Sequence, residues 1–249
     1  MTRICICGIC GRMGKRIAEL ALDDGSFILR SGLEREDHPS RGEDIGKVLG
    51  KDNMDVVVTS DINESISDVD CVIDFTVPGS TVEHLQACLD NEVPIVIGTT
   101  GLGQDIEKVI LDSSGKIPVV FSPNMAPGVN VFFNIVSIVS KTLGQDFEIE
   151  IDETHHVHKK DAPSGTAKMI ARLVKDASGK DVPVDAKREG EVIGNHGVVF
   201  DGKYETLEIR HNAKSRDVFA AAALKAAKFV TNKPPGLYTM ADVLGLKGD

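Results

Sequence analysis

Short apolar, β-branched runs alternate with segments of three- and four-residue apolar spacing through the first half of the chain. The runs at 3–7, 27–33, 55–59, 71–75, 94–97 and 118–121 have the length and make-up of buried strands. Between them, Ile17, Ala18, Leu20 and Ala21, and later Val82, Leu85, Ala87 and Leu89, recur at the spacing of one helix face. Strands without a polar side belong to a parallel sheet covered by helices on both faces. The pattern predicts a doubly wound, Rossmann-like α/β domain of roughly 120 residues.

After residue 121 the alternation stops. Ser122-Pro123-Asn124-Met125-Ala126-Pro127-Gly128 is turn chemistry, 129–143 reads as one apolar helix and 147–151 as a strand. Further strands are expected at 191–200 and 204–209, joined by the hairpin signal Asp201-Gly202. These segments predict a second, α+β domain with a mixed, largely antiparallel sheet. An Ala-rich helix at 219–230, followed by the breaker Lys233-Pro234-Pro235-Gly236, is expected to return and cover the first domain. The expected boundaries are 1–126 with 217–249 for a discontinuous dinucleotide-binding domain, and 127–216 for the other.

Composition narrows the partners. The 249 residues are 41% hydrophobic and 27% charged, ordinary for a globular protein. No apolar run reaches the roughly 18 residues of a membrane span, and no signal-peptide pattern opens the chain, so a cytoplasmic protein with no membrane partner is expected. A formal net charge of −10 disfavours nucleic acid, which needs a basic face. The five cysteines are odd in number, and Cys5, Cys7 and Cys10 have neither a zinc spacing nor a nearby His or acidic residue in sequence. They read as small hydrophobes, and no metal is expected.

Against this acidic background, residues 153–167 stand out. His155, His156, His158, Lys159 and Lys160 fall within six positions and run into Pro163-Ser164-Gly165-Thr166, a helix start with a good N-cap. A single histidine is usually a packed or solvated side chain; three within four positions, beside an anion-binding helix start, point to a carboxylate-binding catalytic site. Mutual repulsion among these cations is expected to lower imidazole pKa values until an anion arrives. His158 is read as structural.

The first strand leads into Gly8-Ile9-Cys10-Gly11-Arg12-Met13-Gly14, where glycines let a backbone approach a pyrophosphate at a helix start. Cys10 takes the place of the usual second glycine, and its position at a helix N-terminus predicts a thiolate bias. Glu34, twenty positions past Gly14, suits ribose hydroxyls, and Arg35 suits a 2′-phosphate, which together predict use of NADH or NADPH.

The glycine turn, with Ile73-Asp74-Phe75-Thr76, Gly98-Thr99-Thr100-Gly101 and above all the 155–167 segment, resembles the dihydrodipicolinate reductase family. The resemblance runs from the first strand to Gly236-Leu237-Tyr238. It implies an oxidoreductase of lysine and diaminopimelate biosynthesis that reduces 4-hydroxy-tetrahydrodipicolinate, a small dicarboxylate, to tetrahydrodipicolinate with NADH or NADPH. It implies His155 as proton donor and acceptor, Lys159 as second proton donor, His156 as a substrate contact, and Gly165 with Thr166 as the carboxylate cradle. Gly8, Ile9, Cys10, Gly11, Arg12 and Met13 match the pyrophosphate turn, and Glu34 and Arg35 the ribose and 2′-phosphate contacts. Gly98, Thr99, Thr100, Ser122, Pro123, Asn124 and Met125 match the walls around the nicotinamide. A homotetramer joined through the second domain's sheet is also implied. Two departures from the family are a short second domain and Met125 where an aromatic often stands. Alternative readings are a dehydrogenase of an amino-acid semialdehyde or a sugar, or a dinucleotide-sensing module without chemistry. The acylating semialdehyde enzymes need a catalytic-domain cysteine, and none follows Cys88; a sensor has no use for the cationic cluster.

Overall fold

The computed structural model describes residues 1–246, which form two compact units. The first unit begins with β1 (Thr2–Cys7), α1 (Arg12–Asp23), β2 (Phe27–Leu33), α2 (Ile45–Val48), β3 (Val58–Thr59), α3 (Ile62–Ile66) and β4 (Cys71–Asp74). It continues through α4 (Pro78–Asp90), β5 (Ile95–Ile97), α5 (Gln104–Ser114) and β6 (Pro118–Phe121). Successive side chains of β1 point to opposite faces. Ile4 and Ile6 pack with Ile17, Ala18 and Ala21 of α1, while Cys5 and Cys7 pack with Leu85 and Cys88 of α4 and Ile110 of α5. Each buried isoleucine contributes about 1.5–3 kcal/mol, so both faces of the sheet need their helices. The cysteines are free, and four are fully enclosed, as small hydrophobes.

The second unit, 126–218 of the described residues, holds α6 (Pro127–Leu143), β7 (Glu148–His155), α7 (Gly165–Ser178), β8 (Val184–Arg188), β9 (Asn195–Asp201) and β10 (Thr206–Asn212). Its sheet has the order β10-β9-β7-β8, antiparallel except for the β7–β8 pair. Phe132 and Val136 of α6 and Ile170 and Val174 of α7 bury Ile149, Ile151, Val198 and Phe200 on one face. Along that face the residues change from apolar to polar: Ile149 and Ile151 are followed on β7 by Glu153 and His155. The opposite face carries Glu148, Glu150, Asp152, Glu208 and Arg210, with Arg210 3.1 Å from Asp152.

The chain then returns to the first unit through α8 (Asp217–Val230), whose alanines pack against the β1 core from Phe219 onward. β11 (Gly236–Tyr238) pairs in parallel with β6, and α9 (Met240–Val243) follows. The completed sheet is parallel throughout, in the order β11-β6-β5-β4-β1-β2-β3.

Several expected strands differ. The run at 55–59 yields only a two-residue strand, with Val57 in an isolated bridge to Asp44, because Asp55 turns with φ 57° and Asp44 draws the Met54 and Val56 amides onto its carboxylate. The strand expected at 191–200 begins at Asn195, and β8 and β11 lie where no strand was expected. The strand expected at 147–151 runs on to His155, which places the first histidine of the cluster on a sheet rather than in a loop.

Candidate active site

Strand β7 presents Glu153 and His155 two residues apart on its covered face. Glu153 is 0% exposed; its Oε1 accepts hydrogen bonds from the Ser164 amide at 2.9 Å and from Arg188 Nη2 at 3.1 Å. Its Oε2 lies 2.9 Å from His155 Nδ1, off the line of a straight hydrogen bond, and 4.0 Å from His196 Nε2. Glu153 stands opposite His196 on β9, which stands opposite His211 on β10. The His155–His196 and His196–His211 ring centroids are 5.2 and 6.2 Å apart.

Burial dominates the protonation of these groups. It pushes His155 below the ordinary imidazole value; Glu153 opposes this, and Lys159 and Arg188 add to it. His196 is pushed down to about 4, first by burial and then by the neighbouring charge of His155. His211 is lowered by burial alone. Burial also works to raise Glu153, but the Ser164 hydrogen bonds, His155 and Arg188 outweigh it and hold the carboxylate below its usual range. The lowering at His155 therefore has a different main cause from the expected repulsion among five clustered cations. His158 and Lys160 are exposed, and His158 sits 3.6 Å from Glu191.

The other cluster members follow β7. His156 is half-buried, and its Nδ1 has no hydrogen-bond partner among the described residues. Lys159 Nζ is 2.7 Å from Asp161, whose carboxyl it holds below the usual range. Arg188 also donates to the Asp161 carbonyl. Ser164 caps α7 by accepting the Ala167 amide at 3.2 Å, and Gly179 closes the helix in the left-handed region with φ 77°. At Gly165, in the first turn, a Cβ would meet open space, so the positive end of the helix is open to an anion there. Thr166 beside it is buried.

In the first unit Gly8 adopts φ 77°, which only glycine tolerates readily, and a Cβ on Gly14 would lie 2.0 Å from the Gly8 carbonyl oxygen. The turn therefore seats α1 directly on the end of β1, with Gly11 as N-cap and Arg12 exposed. Ile9 and Met125 are buried in the core, so any ligand contact there is made through backbone. Glu34 accepts the Cys10 amide at 3.3 Å and the Arg35 amide at 3.2 Å; the Arg35 side chain is exposed and 3.1 Å from Asp37. Met13 is half-buried. Burial and then Glu34 raise the Cys10 thiol, which overturns the expected thiolate bias. Cys10 also gains, in space, the His and acidic neighbours that its sequence surroundings lack: Glu34 and His38 lie within 4.8 Å.

Gly98 packs so tightly that a Cβ would lie 2.1 Å from the Phe75 ring. Thr99 is buried and its hydroxyl accepts the Thr76 amide at 3.0 Å, while Thr100 is exposed. Ser122 donates to the Asn124 carbonyl at 3.0 Å, and Pro123 is exposed. Glycine close approach and an open helix start suit a dinucleotide pyrophosphate.

Glu153, Arg188, His196 and His211 had no role in the sequence reading. Glu153 was within view as the third residue before His156, but strand pairing alone brings the others to it. Glu153, His155 and His196 hold donor atoms within 4.8 Å of one another, as a metal set does. Arg188 on the same carboxylate, and Lys159 beside His155, give the site the opposite preference, for an anion.

Comparison with known proteins identifies the family. The family model described as Dihydrodipicolinate reductase, N-terminus, matches residues 2–125, and Dihydrodipicolinate reductase, C-terminus, matches 128–244. A 4-hydroxy-tetrahydrodipicolinate reductase of Geobacter sulfurreducens is 40% identical across 99% of this chain and 100% of its own length. That of Syntrophus aciditrophicus is 39% identical with the same coverage. The solved structure of dipicolinate-bound dihydrodipicolinate reductase from Paenisporosarcina sp. TG-14 shares the fold with a TM-score of 0.82 at 23% identity, covering 97% of this chain and 98% of that one. Amine dehydrogenase from Mycobacterium smegmatis shares it at 0.72 and 12% identity, covering 96% and 95%. The chain belongs to the dihydrodipicolinate reductase family.

Proposed function

We propose that the protein is the reductase of lysine and diaminopimelate biosynthesis that converts 4-hydroxy-tetrahydrodipicolinate to tetrahydrodipicolinate, with His155 and Lys159 as its proton-transfer groups. The observation that carries this reading is the buried Glu153, which lies 2.9 Å from the His155 imidazole and accepts the amide of Ser164, the N-cap of an anion-binding helix. When bound, the reduced nicotinamide supplies a hydride to the ring formed by loss of water from the substrate. Addition of a hydride leaves the ring short of one proton, and an acid must deliver it at or near the transition state.

The chain's own residues do the rest. Gly165, Thr166 and His156 bind a substrate carboxylate at the positive end of α7. His155 is neutral in the free protein, and the arriving dicarboxylate favours its protonated form, so binding itself charges the acid. Lys159 exchanges Asp161 for substrate and stabilises the negative charge that develops on the ring. Gly8, Ile9, Cys10, Gly11, Arg12 and Met13 hold the pyrophosphate. Gly98, Thr99, Thr100, Ser122, Pro123, Asn124 and Met125 flank the nicotinamide. Glu34 accepts hydrogen bonds from ribose hydroxyls, and the exposed Arg35, 3.1 Å from Asp37, accommodates a 2′-phosphate, so either NADH or NADPH serves. The charged, uncovered face of the four-stranded sheet is read as the contact of a homotetramer.

The test mixes purified protein with NADH, pyruvate, aspartate semialdehyde and the synthase of the preceding step. Loss of reduced-cofactor absorbance that disappears when the synthase is omitted supports the reading. Oxidation that needs only aspartate semialdehyde refutes it in favour of a semialdehyde dehydrogenase.

A further inference from the structure

Among the buried groups of the second unit, Glu153 is unusual in touching two functions at once. Its Oε1 is fully engaged by the Ser164 amide and Arg188, so its orientation is fixed from outside the histidine cluster. Its Oε2 is consequently turned toward Nδ1 of His155, 2.9 Å away. The contact is off the line of a straight hydrogen bond, but a carboxylate charge at that distance favours a proton on Nδ1 over one on Nε2, which keeps a free lone pair. At Nε2 the neighbour is Gly194, where a Cβ would stand only 3.0 Å away; the bare backbone there keeps that nitrogen approachable.

We propose that Glu153 is the positioning residue of His155: it selects the Nδ1–H tautomer, presents Nε2 for proton exchange, and ties that imidazole to the anion-binding start of α7 through Ser164. The inference rests on the proton-transfer role of His155 given above. Glu153 faces the imidazole from its own strand, Arg188 from β8, His196 from β9, and Lys159 and Asp161 from the segment after β7; His211 on β10 faces His196. Of these, Glu153 and Asp161 favour the imidazolium, while Lys159 and Arg188 oppose it. Removing the nearest favourable charge leaves the opposing pair in place. The imidazole should then be harder to protonate.

Long-range proton–nitrogen NMR of histidine-labelled protein reads the tautomer directly. The expected result is Nδ1–H for His155 in the wild type; a predominant Nε2–H overturns the proposal even before any variant is made. In Glu153→Gln, turnover should fall about a hundredfold or more while KM changes less than about threefold, since the amide oxygen still accepts the Ser164 N–H. The alkaline limb of kcat/KM should move to lower pH, and Glu153→Asp should restore it in part. A purely structural Glu153 would lower the melting temperature and leave the limb in place, which also overturns the proposal. If Glu153→Gln does not fold, the wild-type tautomer and the Glu153→Asp profile decide. An inactive His155→Gln together with an unshifted Glu153→Gln profile sinks the positioning role alone. A fully active His155→Gln sinks the proton-transfer reading, whatever the tautomer.

Discussion

His196 makes the second unit sensitive to acid, by an amount that its surroundings determine. The side chain is 4% exposed, between His155 and His211, and is held at about 4 rather than the usual 6.5. A folded-state value below the unfolded one means that unfolding takes up a proton, so stability is complete above about pH 6.5 and drains away as pH falls toward 4. The full difference corresponds to about 3 kcal/mol, of which about 2 kcal/mol is lost between pH 7 and pH 5. His155 and His211, lowered by the same burial, act in the same direction. The assay is urea unfolding at pH 7, 6 and 5, comparing wild type with His196→Gln, which carries no titratable group. The wild type should lose about 2 kcal/mol more than the variant over that range. Parallel losses in the two proteins would refute the assignment of a buried, neutral His196, as would an NMR titration of its ring with a midpoint near 6.5.

Other consequences concern chemistry and cofactor. His155→Gln and Lys159→Ala should each lower turnover about a hundredfold or more with the circular dichroism spectrum unchanged; near-normal turnover in either removes it from proton transfer. Gly194→Ala places a methyl 3.0 Å from His155 Nε2 and should lower kcat by about tenfold with a smaller effect on KM, read by steady-state kinetics. Gly14→Ala drives a methyl to 2.0 Å from the Gly8 carbonyl oxygen, so α1 must lift from the turn. Its NADH affinity, measured by fluorescence titration, should weaken at least about tenfold, and its melting temperature should drop.

The sequence carried the parts of this molecule that depend on local periodicity. The apolar runs around Ile4, Ile73 and Ile95 are buried on both sides, so their lack of polar alternation announces a parallel sheet. Ser164 before Gly165 marks the start of α7 without help from tertiary contacts. What stayed hidden was set by pairing across distance. Val184–Arg188 alternates charged and small residues that resemble a loop, and becomes a strand because β7 offers it an edge. Gly236–Tyr238 is too short to register as a strand before β6 is there to receive it. The same holds at the site: His155 was visible in the cluster, but His196 is 41 positions away and reaches it only through the β7–β9 register. Repulsion within the cluster is not the main cause of the lowered imidazole, because the strand buries His155 and leaves His158 in solvent.

The most direct measurement is the heat of dipicolinate binding to the cofactor-loaded protein near pH 7.5, repeated in buffers of different ionisation enthalpy. A neutral, buried His155 that becomes charged when a dicarboxylate arrives requires net uptake of protons, and the observed heat should change with the buffer accordingly. Equal heats in every buffer would mean that no group changes its protonation on binding, and the coupling of anion capture to the charging of His155 would be wrong.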